Sequence, residues 1–316
     1  MGPESRTPEA KLYELIEGGI TTLVGLRGTD DVSRSLENLL TKLRGLENEG
    51  LTTFMWSGSY TIPTKTLIQD GDIKKDIMLI DKIIGVKGCL SDHRSSIPSI
   101  HKISKLISDC RVGGLISGKA GKAYFHVGND KEKLNLLFKI VNETSVPINS
   151  IYLTHMGRNK ELLIEGEKWI RKGGYIDFTS DSDYNKDQQA TNALLYLAQN
   201  EQNDFRLISI SSDSYGSFPK FDRDGNLISY SYGKPNSVFL QIKKLIKKHN
   251  WSIEKAFSLA TSNISNFLKF KKKGELKEKF DADILIIDFQ SFDIDYVLSR
   301  GEILKNTTWI KKGMFD

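Results

Sequence analysis

A beat of short apolar runs and amphipathic segments governs what this chain can fold into. Strand-length runs stand at 20–26 (ITTLVGL), 51–57 (LTTFMWS), 83–90 (IIGVKGCL), 123–127 (AYFHV), 150–155 (SIYLTH), 174–179 (GYIDFT) and 206–212 (RLISISS). Between them, residues 33–49, 72–82, 98–110, 131–142, 159–172 and 188–200 carry helical spacing. Mostly apolar strands alternating with helices indicate βα units and a parallel sheet covered on both faces. Glycines at Gly18–Gly19, Gly50 and Gly173–Gly174 mark helix-to-strand joins, as helix C-caps do. A closed barrel of this kind needs eight strands and seven are legible, so the expected class is α/β, a TIM-like (β/α)8 barrel missing its first strand. The chain opens on a helix at 8–17, and helices at 237–249 and 252–260 end the alternation. Thereafter GELKEKFDADILIIDFQ, FDIDYVLSRGEIL and NTTWIKKGMFD read as short strands with period-2 alternation. The domain expectation is therefore a barrel over 1–270 and a C-terminal β segment over 271–316, a remnant of a small β domain too short to stand alone.

Composition bounds the function classes. With 316 residues, 39% hydrophobic and 27% charged, the chain can bury a large core. The net charge of +5 arises largely from Lys-rich helix faces and a cluster at Lys269, Lys271, Lys272 and Lys273. No aromatic-studded basic stripe accompanies that cluster, which reads as a solvated loop and not as a nucleic-acid site. Two cysteines, Cys89 and Cys110, and no C-x-x-C fit a reduced, cytoplasmic setting. MGPESRTPEAK lacks an apolar signal region, and no run approaches the length of a membrane span.

Polar residues at the ends of the apolar runs carry the chemistry. Lys87 in GVKG shares a strand face with Gly85 and Cys89. It either snorkels outward or points into the barrel mouth, where burial would lower its pKa and leave an amine able to take up carbon dioxide as a carbamate. Such an anionic, bidentate group suits the bridging of two cations. His126 and His155 are either hydrogen-bonded structural residues or nitrogen ligands for zinc. Three of the five histidines, His93, His126 and His155, fall at or just after strand ends, whereas His101 and His249 sit in helical segments and read as surface. Asp213, after SISS, is either a loop cap or a metal ligand able to accept a proton. Arg94 and Arg158 follow strand ends by a few residues and present planar forks for carboxylates. Tyr60 and Ser217 stand where a hydroxyl can reach a substrate oxygen, with loop polarity as the plainer reading of all four.

The motifs GVKGCLSDHRSS, FHVGND, THMGRN, KGGYIDFTS, LISISSDSYGSFPKFDRDGNL and FDADILIID, in this order and spacing, resemble the isoaspartyl (β-aspartyl) dipeptidase family of the amidohydrolase superfamily. GLRGTDDVSRSLENLL and GSYTIP match in kind, so the likeness runs from about Arg6 to the C-terminus. The resemblance implies a metal-dependent hydrolase barrel with two zinc ions, cleaving β-aspartyl dipeptides by metal-activated hydroxide. It implies Lys87 as the carbamate bridging both metals, His126 and His155 on one zinc, and Asp213 on the other as proton shuttle. Tyr60 would polarise the scissile carbonyl. Arg94, Arg158 and Ser217 would bind substrate carboxylates, with Thr29 near the substrate amine. The partner implied is a small dipeptide, with no nucleic acid and no membrane, in a homo-oligomer if intact.

One departure bears on activity. The family carries a His-x-His pair on its first barrel strand, followed by a glycine-rich loop ending in glutamate, and no His-x-His occurs in this chain. The expectation is impaired hydrolysis in the chain as it stands, with only one metal keeping its nitrogen ligands. Two alternatives stay open: a catalytically inactive protein of amidohydrolase fold, and a related amidohydrolase acting on another small amide.

Overall fold

The apolar runs form β1 (Thr22–Gly25), β2 (Thr52–Gly58), β3 (Ile83–Leu90), β4 (Lys122–Val127), β5 (Ile151–Thr154), β6 (Tyr175–Thr179) and β7 (Ile208–Ser211). In this computed structural model every residue except Met1, Gln69 and residues 223–225 is described, and the RDG triplet of the long motif lies outside the described residues. The strands make one sheet in chain order, each neighbouring pair parallel. Between them run α2 (Leu36–Asn48), α3 (Ile73–Leu79), α4 (Ile100–Ser117), α5 (Asn135–Glu143), α6 (Lys160–Arg171) and α7 (Gln189–Ala198), while α1 (Leu12–Glu17) precedes β1. Chain-order parallel strands with intervening helices are a repeated βα unit curling toward a barrel. Seven strands of the eight are present, as the apolar runs predict.

Side-chain alternation sorts two layers. Val86, Ala123, Phe125, Val127, Ile151, Leu153, Ile176, Phe178, Ile208 and Ile210 face the helices in one buried core. Trp56, Tyr124, Tyr152 and Tyr175 point inward as an aromatic layer, with Trp56 stacked on Tyr124 at 5.2 Å and Tyr175 on Phe267 at 3.9 Å. These rings fill the barrel below its rim, with His126 and Thr179 on the C-terminal side of the layer and Lys122 on its N-terminal side.

The joins depart from the sequence reading in four places. Helix α4 continues past Cys110 to Ser117, because Gly113 and Gly114 are a close-approach surface and not a stop. A Cβ on Gly114 would lie 2.5 Å from the Gly121 Cα, so only glycine lets the helix end pack there. Helix α3 stops at Leu79, short of Lys82, whose ammonium is buried against Glu47. After β7 an antiparallel hairpin, β8 (Ser217–Phe221) and β9 (Leu227–Tyr232), stands over a chain stretch that showed no alternation, because β9 is mostly solvent-exposed. Helices α8 (Ser237–His249) and α9 (Ile253–Ser258) match the spacing, but α10 (Ser262–Phe267) is additional. Asn263 of α10 donates to the Phe205 and Ile208 carbonyls at 2.8 and 2.9 Å, fixing the helix beneath the strand starts.

The chain closes on β10 (Ile284–Ile287), β11 (Ile294–Ser299) and β12 (Glu302–Lys305), a three-stranded antiparallel sheet. The NTTWIKKGMFD stretch contributes a single bridge, Lys305 to Ile310, instead of the strand expected of it. Leu12, Leu15 and Ile16 of α1 pack with Ile294, Val297 and Leu304 of this sheet. Lys273 departs from the solvated reading of its cluster: it is largely buried and pairs with Asp283 at 2.5 Å and Asp281 at 3.0 Å. Both cysteines are free and buried. Among the described residues no helix is long and apolar enough to cross a membrane.

Candidate metal centre

Lys87 occupies the inward face of β3 and is 3% exposed. Its Nζ lies 5.5 Å from the Tyr60 ring centroid and 5.0 Å from that of Tyr124, and it has no ion-pair partner among the described residues. Burial pushes its pKa down to about 8, against the opposing pull of Asp213, Cys89 and Asp177. The amine is therefore substantially neutral at mildly alkaline pH. The structure selects the inward orientation over the snorkelling one.

His126, on β4, is held at both nitrogens. The Tyr60 hydroxyl is 2.6 Å from Nδ1, and an Asp92 carboxylate oxygen is 3.0 Å from Nε2. Burial lowers its pKa to about 3, outweighing the raising effect of Asp92, so the ring is neutral and one nitrogen donates while the other accepts. Donation from Nε2 to the anionic Asp92 leaves the Nδ1 lone pair to accept from Tyr60. Burial also drives the Tyr60 phenol well above its usual pKa, keeping it a donor.

Asp92 is the residue the sequence reading missed. It is 5% exposed; burial raises its pKa, but hydrogen bonds from Arg94 and His126 win and hold it well below the carboxylate range. Arg94 grips it with both prongs, Nε to Oδ1 at 2.8 Å and Nη2 to Oδ2 at 2.7 Å. The readable signal was an aspartate two residues before an arginine at a strand end, S-D-H-R.

His155 and Asp213 stand where β5 and β7 have ended, both with left-handed backbone, φ 67° and 46°. Non-glycine residues held in that region are uncommon and concentrate at functional sites. The His155 ring lies 4.4 Å from that of His126, edge-on. Its Nδ1 is 2.6 Å from Thr179 Oγ1, leaving Nε2 without a protein hydrogen bond among the described residues. Burial, then the proximity of His126, Arg158 and Lys87, keep its pKa well below the usual value. Burial raises the Asp213 pKa, opposed by Lys87, Arg158 and Arg94, and its carboxylate accepts no hydrogen bond from a described residue.

By donor type these four side chains suit a divalent cation. An unpaired buried amine, two neutral imidazoles and an unengaged carboxylate are the donor types zinc takes. Each imidazole is held at its other nitrogen by an oxygen, the arrangement that orients histidine ligands. A second trio, Cys89, Asp92 and His126, also brings its donor atoms within 4.8 Å of one another. It fits poorly. Burial pushes the Cys89 thiol up to about 12, and Arg94 and Arg158 each place a guanidinium nitrogen 3.2 Å from His126 Nε2.

Of the remaining sequence candidates, Tyr60 and Arg158 join the cluster, Arg158 with its Nε buried and unpartnered. Arg94 joins it with its fork already on Asp92. Thr29 and Ser217 are exposed, on the loop after β1 and at the start of β8, and no described contact ties either to the cluster. His93 and His101 are exposed, and His249 pairs with Asp187 at 3.1 Å.

Fold and site together define a hydrolase barrel of the amidohydrolase superfamily, and residues 185–316 match the amidohydrolase family model. The crystal structure of β-aspartyl dipeptidase from the thermophilic, keratin-degrading Fervidobacterium islandicum AW-1, in complex with β-Asp-Leu dipeptide, is 40% identical with a TM-score of 0.93, over 100% of this chain and 83% of that chain. A second structure of β-aspartyl dipeptidase from the same organism is 38% identical with a TM-score of 0.90, over 100% of this chain and 81% of that one. D-hydantoinase, 14% identical with a TM-score of 0.60 over 96% of this chain and 80% of its own, shares the fold alone. This chain belongs to the isoaspartyl (β-aspartyl) dipeptidase family.

Proposed function

We propose that the chain is a zinc-dependent hydrolase of the β-aspartyl amide bond of dipeptides, with hydrolysis impaired in the chain as it stands because no His-x-His pair supplies ligands for a second metal. The observation that carries this reading is the grouping of Lys87, His126, His155 and Asp213, a buried amine, two neutral imidazoles and a carboxylate, beside a protonated Tyr60. Lys87, His126 Nδ1, His155 Nε2 and Asp213 would hold zinc. A metal held there would supply Lewis-acid polarisation of an amide carbonyl and activation of water. Carbon dioxide adds to the neutral Lys87 amine, forming an N–C bond and releasing one proton, which turns the lysine into an anionic oxygen ligand.

The chain's own groups supply the rest. Tyr60, released from His126 Nδ1 when that nitrogen takes the metal, donates a hydrogen bond to the carbonyl oxygen as negative charge develops there. Asp213, its basicity raised by burial, takes a proton and passes it to the leaving amine. Arg158, with a buried unpartnered Nε, binds a substrate carboxylate. Arg94 assists through the guanidinium edge that Asp92 does not occupy, and Thr29 and Ser217 close on the substrate from their loops. The two buried, free cysteines accord with a cytoplasmic site of action.

The test uses the purified chain with zinc and β-Asp-Leu, following free leucine by chromatography, with α-Asp-Leu as the control. Slow leucine release from the β-linked dipeptide alone, abolished by chelation, is the expected result. Tight zinc binding with no turnover of either dipeptide would favour a non-catalytic protein of the same fold, and turnover unaffected by chelation would overturn the zinc assignment.

A further inference from the structure

From β3 to β7, β6 is the one strand that carries none of the four candidate ligands, yet it lies between the two that deliver His155 and Asp213. Its inward side chains are Tyr175, Asp177 and Thr179. Tyr175 belongs to the aromatic layer. The other two reach sideways.

Thr179 Oγ1 lies 2.6 Å from His155 Nδ1. Asp177 is fully buried and receives four hydroxyls, two from each flanking strand. Its Oδ1 accepts from Ser209 at 2.8 Å and Tyr152 at 3.3 Å; its Oδ2 accepts from Thr154 at 2.6 Å and Ser211 at 2.7 Å. Thr154 immediately precedes His155, and Ser211 stands two residues before Asp213. One carboxylate therefore ties β5 to β7 at the level where both backbones leave the sheet in left-handed conformation. Backbone bonds reinforce that level: Met156 donates to the Asp177 carbonyl at 3.2 Å, and Ser180 to that of Ser211 at 2.8 Å.

Barrel interiors are ordinarily filled by branched apolar residues, and a buried carboxylate is costly unless fully hydrogen-bonded. A carboxylate retained here with four donors has a geometric task that an apolar filler cannot perform.

We propose that Asp177 and Thr179 are positioning residues for the metal centre. Thr179 accepts from His155 Nδ1–H and so fixes the lone pair on Nε2 and the plane of the ring. Asp177 sets the separation of His155 from Asp213 through Thr154 and Ser211. The inference rests on the reading of His155 and Asp213 as zinc ligands.

Zinc affinity of the full chain, measured by competition with a chromogenic chelator, tests both at once. Thr179→Val removes the hydroxyl at constant shape, Thr179→Ser keeps it, and Ser211→Ala cuts the arm from Asp177 to the end of β7. Loss of an orienting partner typically weakens metal binding about 10–100-fold, which is the result expected of Thr179→Val and Ser211→Ala, with Thr179→Ser close to the parent. His155→Ala is the reference. If it loses zinc while Thr179→Val and Ser211→Ala bind as the parent does, the positioning role is overturned and the ligand assignment stands. If His155→Ala itself binds zinc as the parent does, both fail. Imidazole nitrogen NMR of the parent gives a reading independent of any variant's folding: a proton on His155 Nδ1 supports the proposal, and one on Nε2 alone contradicts it.

Discussion

The Tyr60 hydroxyl and His126 Nδ1, 2.6 Å apart, join the candidate carbonyl-polarising group to a candidate metal ligand. A phenol kept protonated by burial is a donor at any ordinary pH, and zinc on His126 Nδ1 would free it for a substrate oxygen. Tyr60→Phe removes that donor without altering shape. The expected outcome is a fall in kcat of about 10²–10³-fold on β-Asp-Leu, the usual loss for one such donor, with zinc affinity retained. Steady-state kinetics beside a zinc titration read both, and an unchanged kcat would remove Tyr60 from the chemistry.

Asp92 holds His126 Nε2 and both prongs of Arg94 at once. Asp92→Asn keeps the shape and loses the charge. Zinc affinity is expected to fall about 10–100-fold as His126 loses its orienting carboxylate, and KM to rise as Arg94 loses its anchor. Calorimetric zinc titration and substrate-saturation curves measure the two separately.

Lys87, with its pKa lowered to about 8, presents a neutral amine increasingly as pH rises through that value. Carbamate formation consumes the neutral form, so its occupancy is expected to climb between pH 7 and pH 9. In 13C-bicarbonate, NMR should show a carbamate resonance that grows over that window and is missing from Lys87→Ala. A resonance that persists in the variant would place the carbamate elsewhere.

Asp177, its pKa raised to about 6 by burial against the lowering effect of four hydroxyls, binds its proton more tightly in the folded chain than in the unfolded one. Between the unfolded value near 3.8 and the folded value the native state holds more protons, so this group makes stability fall as pH rises across that window and adds no further slope above it. Asp177→Asn removes the dependence. The stability difference between variant and parent should shift by about 2 kcal/mol in favour of the variant between pH 4 and pH 7, measured by urea unfolding.

Much of the fold was readable because the βα beat is a local pattern: β3 and α8 match their sequence ranges residue for residue. Lys87, His126, His155 and Asp213 were legible as polar interruptions at the ends of apolar runs. Asp177 and Thr179 were not, since their meaning lies in partners 23–34 residues away, and the S-D-H-R spacing gives Asp92 its Arg94 but not its His126, 34 residues on. The left-handed turns at His155 and Asp213 are imposed by tertiary contacts and leave no mark on a non-glycine sequence. Helix α4 ran through Gly113 and Gly114 because local propensity yielded to close packing on Gly121. The hairpin of β8 and β9 buries too little to show an apolar period.

Anomalous X-ray diffraction at the zinc absorption edge, on crystals of the zinc-loaded chain, addresses the central claim most directly. The account predicts a peak about 2.0–2.2 Å from His126 Nδ1 and from His155 Nε2, with carbamate density extending from Lys87 toward it. A peak seated instead among Cys89, Asp92 and His126, or no peak at either place, would contradict it.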